Sequence, residues 1–277
     1  MKSLVITSDC DHLLASEHIN ILRMFAENEI FITTAVFARV DNEDSWLGRH
    51  CSSTDTHGLE NKELRKGLIE AQAMGHEIAF HGTSQCSNTR DEFSKGIDEY
   101  KNIFGEYPFT YIEHGPNPIF QPHLDSKNEL LDHNVADNNP YFIKDIIRNI
   151  FSACWTQRFL VSRDDMPKMN KDWLLSHEGI TFVKRMRMLD FDYYLKQLKN
   201  DKDSVNSFVG YTHFGYEGYF GPNKVKILNL LRILFSSRFE YWKGKNLKKN
   251  IQEIKLLLQR ESITSLNMRD FVRSCQK

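Results

Sequence analysis

Short apolar runs alternate with stretches of helical periodicity along most of this chain, which predicts a repeating strand–helix architecture. Leu4, Val5 and Ile6 open as a buried strand. Residues 18–27 place Ile19, Leu22, Met24 and Phe25 at helical spacing, with Ser16 as the N-cap. Residues 30–40 are rich in β-branched and aromatic side chains and read as a strand. Residues 41–58 are polar and turn-rich, a long loop of the kind that often carries function. A helix follows over 61–74, with Leu64, Leu68, Ile69 and Ala71 inward and Gly75 as its stop. Strand 76–80, helix 89–104 ended by Gly105, and strand 108–112 continue the alternation.

Beyond residue 112 the pattern weakens. Residues 124–134 fit a short helix, and 143–156 fit a helix, a strand or both. Residues 180–186 alternate as a strand, 191–198 follow as a helix, and 207–212 form another strand. Helices over 225–235 and 247–258, a closing strand over 262–266 and a last helix over 268–273 complete the chain. Regular βα alternation over residues 1–277 predicts one α/β domain with a parallel, barrel-like sheet.

Composition narrows the class only slightly. The 277 residues carry a net charge of -1, so bulk charge implies no partner. The five cysteines are scattered without CxxC spacing, which suggests a reducing compartment and no zinc–thiolate site. The start of the chain has no apolar leader, and no apolar run reaches membrane-spanning length, so the expected location is cytoplasmic. Gly115, Gly215, Gly218 and Gly221 lack the strand-to-helix setting of a nucleotide fingerprint, and no nucleophile elbow surrounds Ser84.

The chemistry gathers at strand ends. Ile6-Thr7-Ser8-Asp9-Cys10-Asp11-His12 ends a strand in two carboxylates and an imidazole. Gly75-His76-Glu77-Ile78-Ala79-Phe80-His81 and Phe208-Val209-Gly210-Tyr211-Thr212-His213 each deliver a histidine at the same kind of edge. Such residues at C-terminal strand ends describe a metal or acid–base site at a barrel mouth. Asp9 and Asp11 share a strand face, and a cation or shared proton must offset their repulsion. His12 lines the mouth or starts a helix in solvent, while His76 packs or caps the preceding helix. His50, His57, His123, His133 and His177 lie in polar loops and read as solvated. Trp155 and Tyr216, near strand ends, are candidates to stack on a sugar face, or are core.

These motifs stand in the order found in the polysaccharide deacetylases, the NodB-like carbohydrate esterases. Thr7-Ser8-Asp9-Cys10-Asp11 resembles that family's Thr-Phe-Asp-Asp-Gly motif, and Gly75–His81 resembles Gly-His-Glu-Ile-Gly-x-His. Tyr211-Thr212-His213 is similar to Leu-x-His, and Ile263-Thr264-Ser265-Leu266-Asn267-Met268 to the family's closing strand and helix. The resemblance implies a distorted (β/α) barrel that removes an N- or O-acyl group from a sugar. It implies Asp9 as the base that activates water and His213 as the acid that protonates the leaving group. It implies Asp11 and His81 as ligands of a divalent metal, expected to be zinc.

The chain departs from the family at three places. Cys10 occupies the position of the second carboxylate, with Asp11 one residue later. Gln85 stands where a second histidine ligand is expected, and a neutral amide oxygen suits zinc poorly. The Arg-x-Pro motif is replaced by Glu113-His114-Gly115-Pro116, where His114 is the candidate replacement ligand. His12, Gln85, Trp155 and Tyr216 are the expected substrate contacts, and the alternative expectation is a degenerate barrel that binds a glycan or partner without turnover.

Residues 221–260 add a separate signal: ten Lys or Arg against two Glu, net +8, which leaves the remainder at -9. The run from Val225 to Phe235 mixes apolar and basic residues, with Phe239, Tyr241 and Trp242 beyond. It reads as an outer barrel helix with snorkelling basic side chains, or as an interfacial helix on anionic lipid that admits a lipid-linked sugar. No nucleic-acid motif accompanies the charge.

Overall fold

A computed structural model describes residues 2–10, 13–39, 57–84, 88–113, 142–156, 161, 173–188, 195, 207–212, 214 and 244–276. Strand β1 (Ser3–Asp9) is buried at every position because it has neighbours on both edges and layers on both faces. Along one edge runs β9 (Ser207–Thr212), in register from Ser3↔Ser207 to Ser8↔Thr212. The other edge is shared. β2 (Ile32–Val36) pairs with its C-terminal half, and β10 (Thr264–Leu266) with its N-terminal half. The last strand of the chain therefore lies beside the first.

Outward from β2 come β3 (Glu77–Phe80), β4 (Thr110–Ile112), β5 (Ala153–Trp155) and β7 (Ile180–Val183), all parallel. At the opposite end β8 (Met186–Arg187) pairs in parallel with β9. Only Lys184 and Arg185 separate β7 from β8. Two residues cannot bridge more than about 10 Å, so the two ends of the sheet meet. The rings of Trp155 on β5 and Tyr211 on β9 lie 5.9 Å apart. Five strand spacings in a flat sheet would put them about 24 Å apart. The sheet is thus rolled into a barrel; no ladder among the described residues joins its two edges, and one stretch of chain spans them, passing from β7 beside β5 to β8 beside β9. The expected α/β barrel is borne out.

The helices follow their sequence signals, with two corrections. α1 (Ala15–Glu27) begins earlier than its apolar spacing predicts, and Leu14, not Ser16, is its N-cap. The first helical N–H, that of Ala15, donates instead to His57 Nδ1 at 3.0 Å. His57 is therefore half-buried and structural, not a solvated loop residue. α2 (Lys62–Ala73) is capped by Asn61 and leaves through Gly75, whose φ of 107° needs a glycine; Ile69 faces solvent. α3 (Arg90–Phe104) has a full capping box between Thr89 and Glu92 and a left-handed Gly105 at its end. Residues 143–156 hold both a helix, α4 (Lys144–Ile150), and β5. α5 (Gly244–Glu261) and α6 (Met268–Cys275) flank β10. The hairpin strand β6 (Leu174–His177), antiparallel to β7, is absent from the sequence prediction. Its turn uses Glu178 and Gly179, both at positive φ, as a two-residue hairpin loop requires. The stretches 124–134 and 225–235 lie outside the described residues.

Between sheet and helices lies an aromatic core in which Phe80 packs 5.5 Å from Phe93 and 6.1 Å from Phe151. The lumen is layered. At the floor, Glu77 accepts hydrogen bonds from Thr33 Oγ1 at 2.9 Å and Thr110 Oγ1 at 2.6 Å. The backbone N–H of Arg269, in the first turn of α6, adds a third at 2.7 Å. Above it, Ala35, Ala79, Ile112 and Trp155 form their own buried cluster. The two alanines leave the width that the indole fills.

Candidate active site at the barrel mouth

Asp9 ends β1 and is 4% exposed. Strand alternation puts it on the face of Thr7, and both side chains meet Arg185. The guanidinium of Arg185 is fully buried; its Nη1 donates to Thr7 Oγ1 at 2.7 Å and lies 3.6 Å from Asp9 Oδ1. Thr7 Oγ1 in turn donates to the Gly210 carbonyl at 3.2 Å, tying the pair to β9. The plane of Arg185 rests on Trp155, with Cζ 3.5 Å from the ring centre, and Tyr211 stands 5.1 Å away. Burial pulls the Arg185 pKa down, while Asp9 and Tyr211 pull it back. An arginine stays charged in such a setting. Its charge is held by one carboxylate and two π-faces.

Arg185 sits where the closing segment passes from β7 to β8, so the seam of the barrel delivers it to the lumen. The sequence reading missed it. In the run Ile180 to Met186, Lys184-Arg185 looks like the polar end of a strand. The available signal was alternation, which turns Arg185 inward between the buried Val183 and Met186.

His81 follows β3 directly and is 2% exposed. Its Nδ1 lies 2.6 Å from the Ile112 carbonyl, and its ring packs 4.6 Å from Phe37. A carbonyl only accepts, so Nδ1 carries the proton and Nε2 is the basic nitrogen. That is the tautomer of a metal-ligating imidazole. Glu113, one residue beyond β4, shares a strand face with Tyr111, away from the lumen. Burial, with the charge of Glu113 added, pushes the Tyr111 hydroxyl pKa up.

The structure therefore brings Asp9, Trp155 and the unforeseen Arg185 and Tyr211 into one group, and places His81 at another strand end of the same mouth. Trp155 is 5% exposed and lies beneath the mouth against Arg185. Asp11, His12, Gln85, His114, His213 and Tyr216 lie outside the described residues. Among the described residues no three His, Cys, Asp or Glu side chains gather as a metal would require. His81 alone is prepared as a ligand, so these residues do not by themselves compose the expected metal site.

No family model matches the sequence, and no curated protein is similar to it. Solved structures are. A probable polysaccharide deacetylase from Pseudomonas aeruginosa PAO1 superposes with a TM-score of 0.50 at 10% identity, over 98% of this chain and 89% of that one. The PuuE allantoinase gives 0.51 at 11% identity, over 98% and 88%. A GH57-type branching enzyme from Pyrococcus horikoshii gives 0.54 at 10% identity, over 98% and 70%. The chain has the fold of the polysaccharide deacetylases. The motif resemblance and the architecture agree, and at these identities the likeness is one of fold.

Proposed function

We propose that the protein is a carbohydrate deacylase that removes an acetyl or formyl group from the nitrogen of a sugar. The observation that carries this reading is Asp9, a buried carboxylate at the C-terminal end of the first barrel strand, facing Arg185, whose Nη1 is itself held by Thr7. Asp9 takes a proton from water as the water oxygen bonds to the acyl carbon. His213 gives a proton to the leaving nitrogen, the C–N bond breaks, and the acyl group departs as a carboxylate. His81, with Asp11 and His114, would hold a divalent ion, with zinc the expected identity. When bound, such an ion lowers the pKa of water and polarises the acyl carbonyl.

The test is release of acetate or formate from N-acylated sugars, together with elemental analysis of protein purified without chelator. One divalent ion per chain, lost on His81→Ala, is expected. Turnover that persists unchanged in His81→Ala would remove His81 from the chemistry.

A second reading, a glycan-binding barrel without turnover, is favoured by the Asp9–Arg185 pair. Arg185 already neutralises Asp9, so that carboxylate needs no metal for its own stability. Glycan binding by the protein with no acyl release would select it.

The substrate we favour is a cell-surface polysaccharide precursor carried on lipid. The basic and apolar sequence of 225–242 supports this, as do Lys248 and Lys249, both exposed on α5. No helix among the described residues is long and apolar enough to cross a membrane. Each basic residue near an anionic surface contributes about 1 kcal/mol. Salt-sensitive co-sedimentation with anionic vesicles, and none with neutral ones, is the expected result; equal, negligible binding to both removes the membrane from the proposal.

A further inference from the structure

Arg185 uses only one side of its guanidinium. Nη1 serves Thr7 and Asp9, but Nε and Nη2 are buried with no hydrogen-bond partner among the described residues. The Trp155 indole Nε1, in the plane stacked against that guanidinium, is likewise buried without a partner. Three N–H donors in one stack, all closed to water and all without an acceptor, are an uncommon expense in a folded protein. Each such donor carries the full desolvation penalty of its N–H, so a buried one calls for an acceptor.

The chemistry of the missing group follows from the donors. The Nε–H and Nη2–H bonds of arginine point the same way, at the spacing of two carboxylate oxygens. The other charge in the group, Asp9, is on the opposite side at 3.6 Å, longer than a direct hydrogen bond, so the guanidinium is only partly compensated. The site lies in the lumen, on the side of the barrel where strand β1 delivers Asp9. We propose that the Nε–Nη2 edge of Arg185, together with the Trp155 indole N–H, is a binding site for a carboxylate. Two sources carry that chemistry: the acid set free by deacylation, or a carboxyl group on the substrate itself. The choice between these sources rests on the deacylase reading; the existence of the site does not. Because these donors are buried, occupancy requires local opening of the barrel around them.

The experiment is a titration of 15N-labelled protein, full chain, followed at the indole N–H signals of its four tryptophans. Trp155→Phe identifies the relevant signal by its loss. Formate, acetate and glucuronate are added at constant ionic strength, with chloride as the control. The Trp155 signal is expected to move downfield and saturate with a carboxylate, and not with chloride. Arg185→Lys, which keeps the charge but loses the fork, is expected to weaken the effect about tenfold or more; Arg185→Met abolishes it. Saturation by formate or acetate identifies the released acid as the ligand, and saturation by glucuronate alone identifies an acidic substrate. A Trp155 signal that no carboxylate moves, that chloride moves equally, or that responds unchanged in Arg185→Lys overturns the site. Loss of the site alongside measured acyl release leaves the deacylase reading standing. Binding without any acyl release does the reverse.

Discussion

Among the described residues, two carboxylates are buried in the lumen of this barrel, Asp9 at the mouth and Glu77 at the floor, 4% and 2% exposed. They are held by opposite means. Glu77 accepts from two threonine hydroxyls and a backbone N–H at the start of a helix, all neutral and all short. Its burial still pushes its pKa up, and those donors with Arg269 offset part of that. Asp9 faces a full positive charge in a stack whose other donors have no acceptor among the described residues. At the floor both oxygens of Glu77 are satisfied, and satisfied buried polar groups help fix one packing. At the mouth, Arg185 Nε and Nη2 and the Trp155 indole N–H have no acceptor among the described residues. In barrels the N-terminal face serves stability and the C-terminal face chemistry; Glu77 lies at the first, and Asp9, the base we propose, at the second.

Replacement of Asp9 separates the ends most sharply. Asp9→Asn removes the proposed base, and the rate per folded molecule is expected to fall about 1,000-fold. It also strands the Arg185 charge, at a cost of about 3 kcal/mol in urea unfolding. The pair Asp9→Asn with Arg185→Met restores most of that stability and none of the rate. Acyl release by Asp9→Asn at the wild-type rate would take Asp9 out of the chemistry. A double variant no more stable than either single one would deny that the pair is a unit.

Glu77→Ala probes the other end. It leaves Thr33 Oγ1, Thr110 Oγ1 and the Arg269 N–H without their acceptor, and about 3 kcal/mol of stability is expected to go. The rate per folded molecule should hold. A stable Glu77→Ala protein with a lost rate would reverse the assignment of the two ends.

Much of this was legible beforehand because burial imprints itself on strands. β1, β3 and β9 are apolar runs, and the sequence placed all three strands where the structure has them, with Asp9 ending β1 and His81 directly after β3. What it missed has physical reasons. β6 is an exposed edge strand, partly or fully solvated at all four positions, so no inward pattern marks it. Arg185 is a charge in the lumen, and a charge within an apolar run looks like the run's end until a partner such as Asp9 is known. His57 caps α1 from 42 residues away, a contact that local sequence does not encode.

The smallest effect tests a third, flanking region that belongs with the floor. His18 on α1 is buried, and its Nε2 lies 2.6 Å from Thr34 Oγ1 on β2. His76, just before β3, accepts the Ile32 N–H at Nδ1 and donates through Nε2 to the Leu22 carbonyl of α1. Burial lowers both pKa values, and for His18, with His76 nearby, the value falls to about 4. Both imidazoles are neutral when the chain is folded, whereas the unfolded chain protonates them near pH 6.5. The unfolded state thus binds more protons below that pH, so stability falls as pH drops from 6.5, and the part due to His18 levels off below about 4. The slope is about 1.4 kcal/mol per pH unit for each proton. His18→Gln keeps a donor near the Nε2 position and removes one titration, so the slope of the urea midpoint between pH 6 and pH 5 should drop by up to that amount. The rate per folded molecule at neutral pH should not change. An unaltered slope would mean that another group sets the acid limit of the fold. A changed rate at full stability would mean that the α1 contacts serve the mouth rather than the frame.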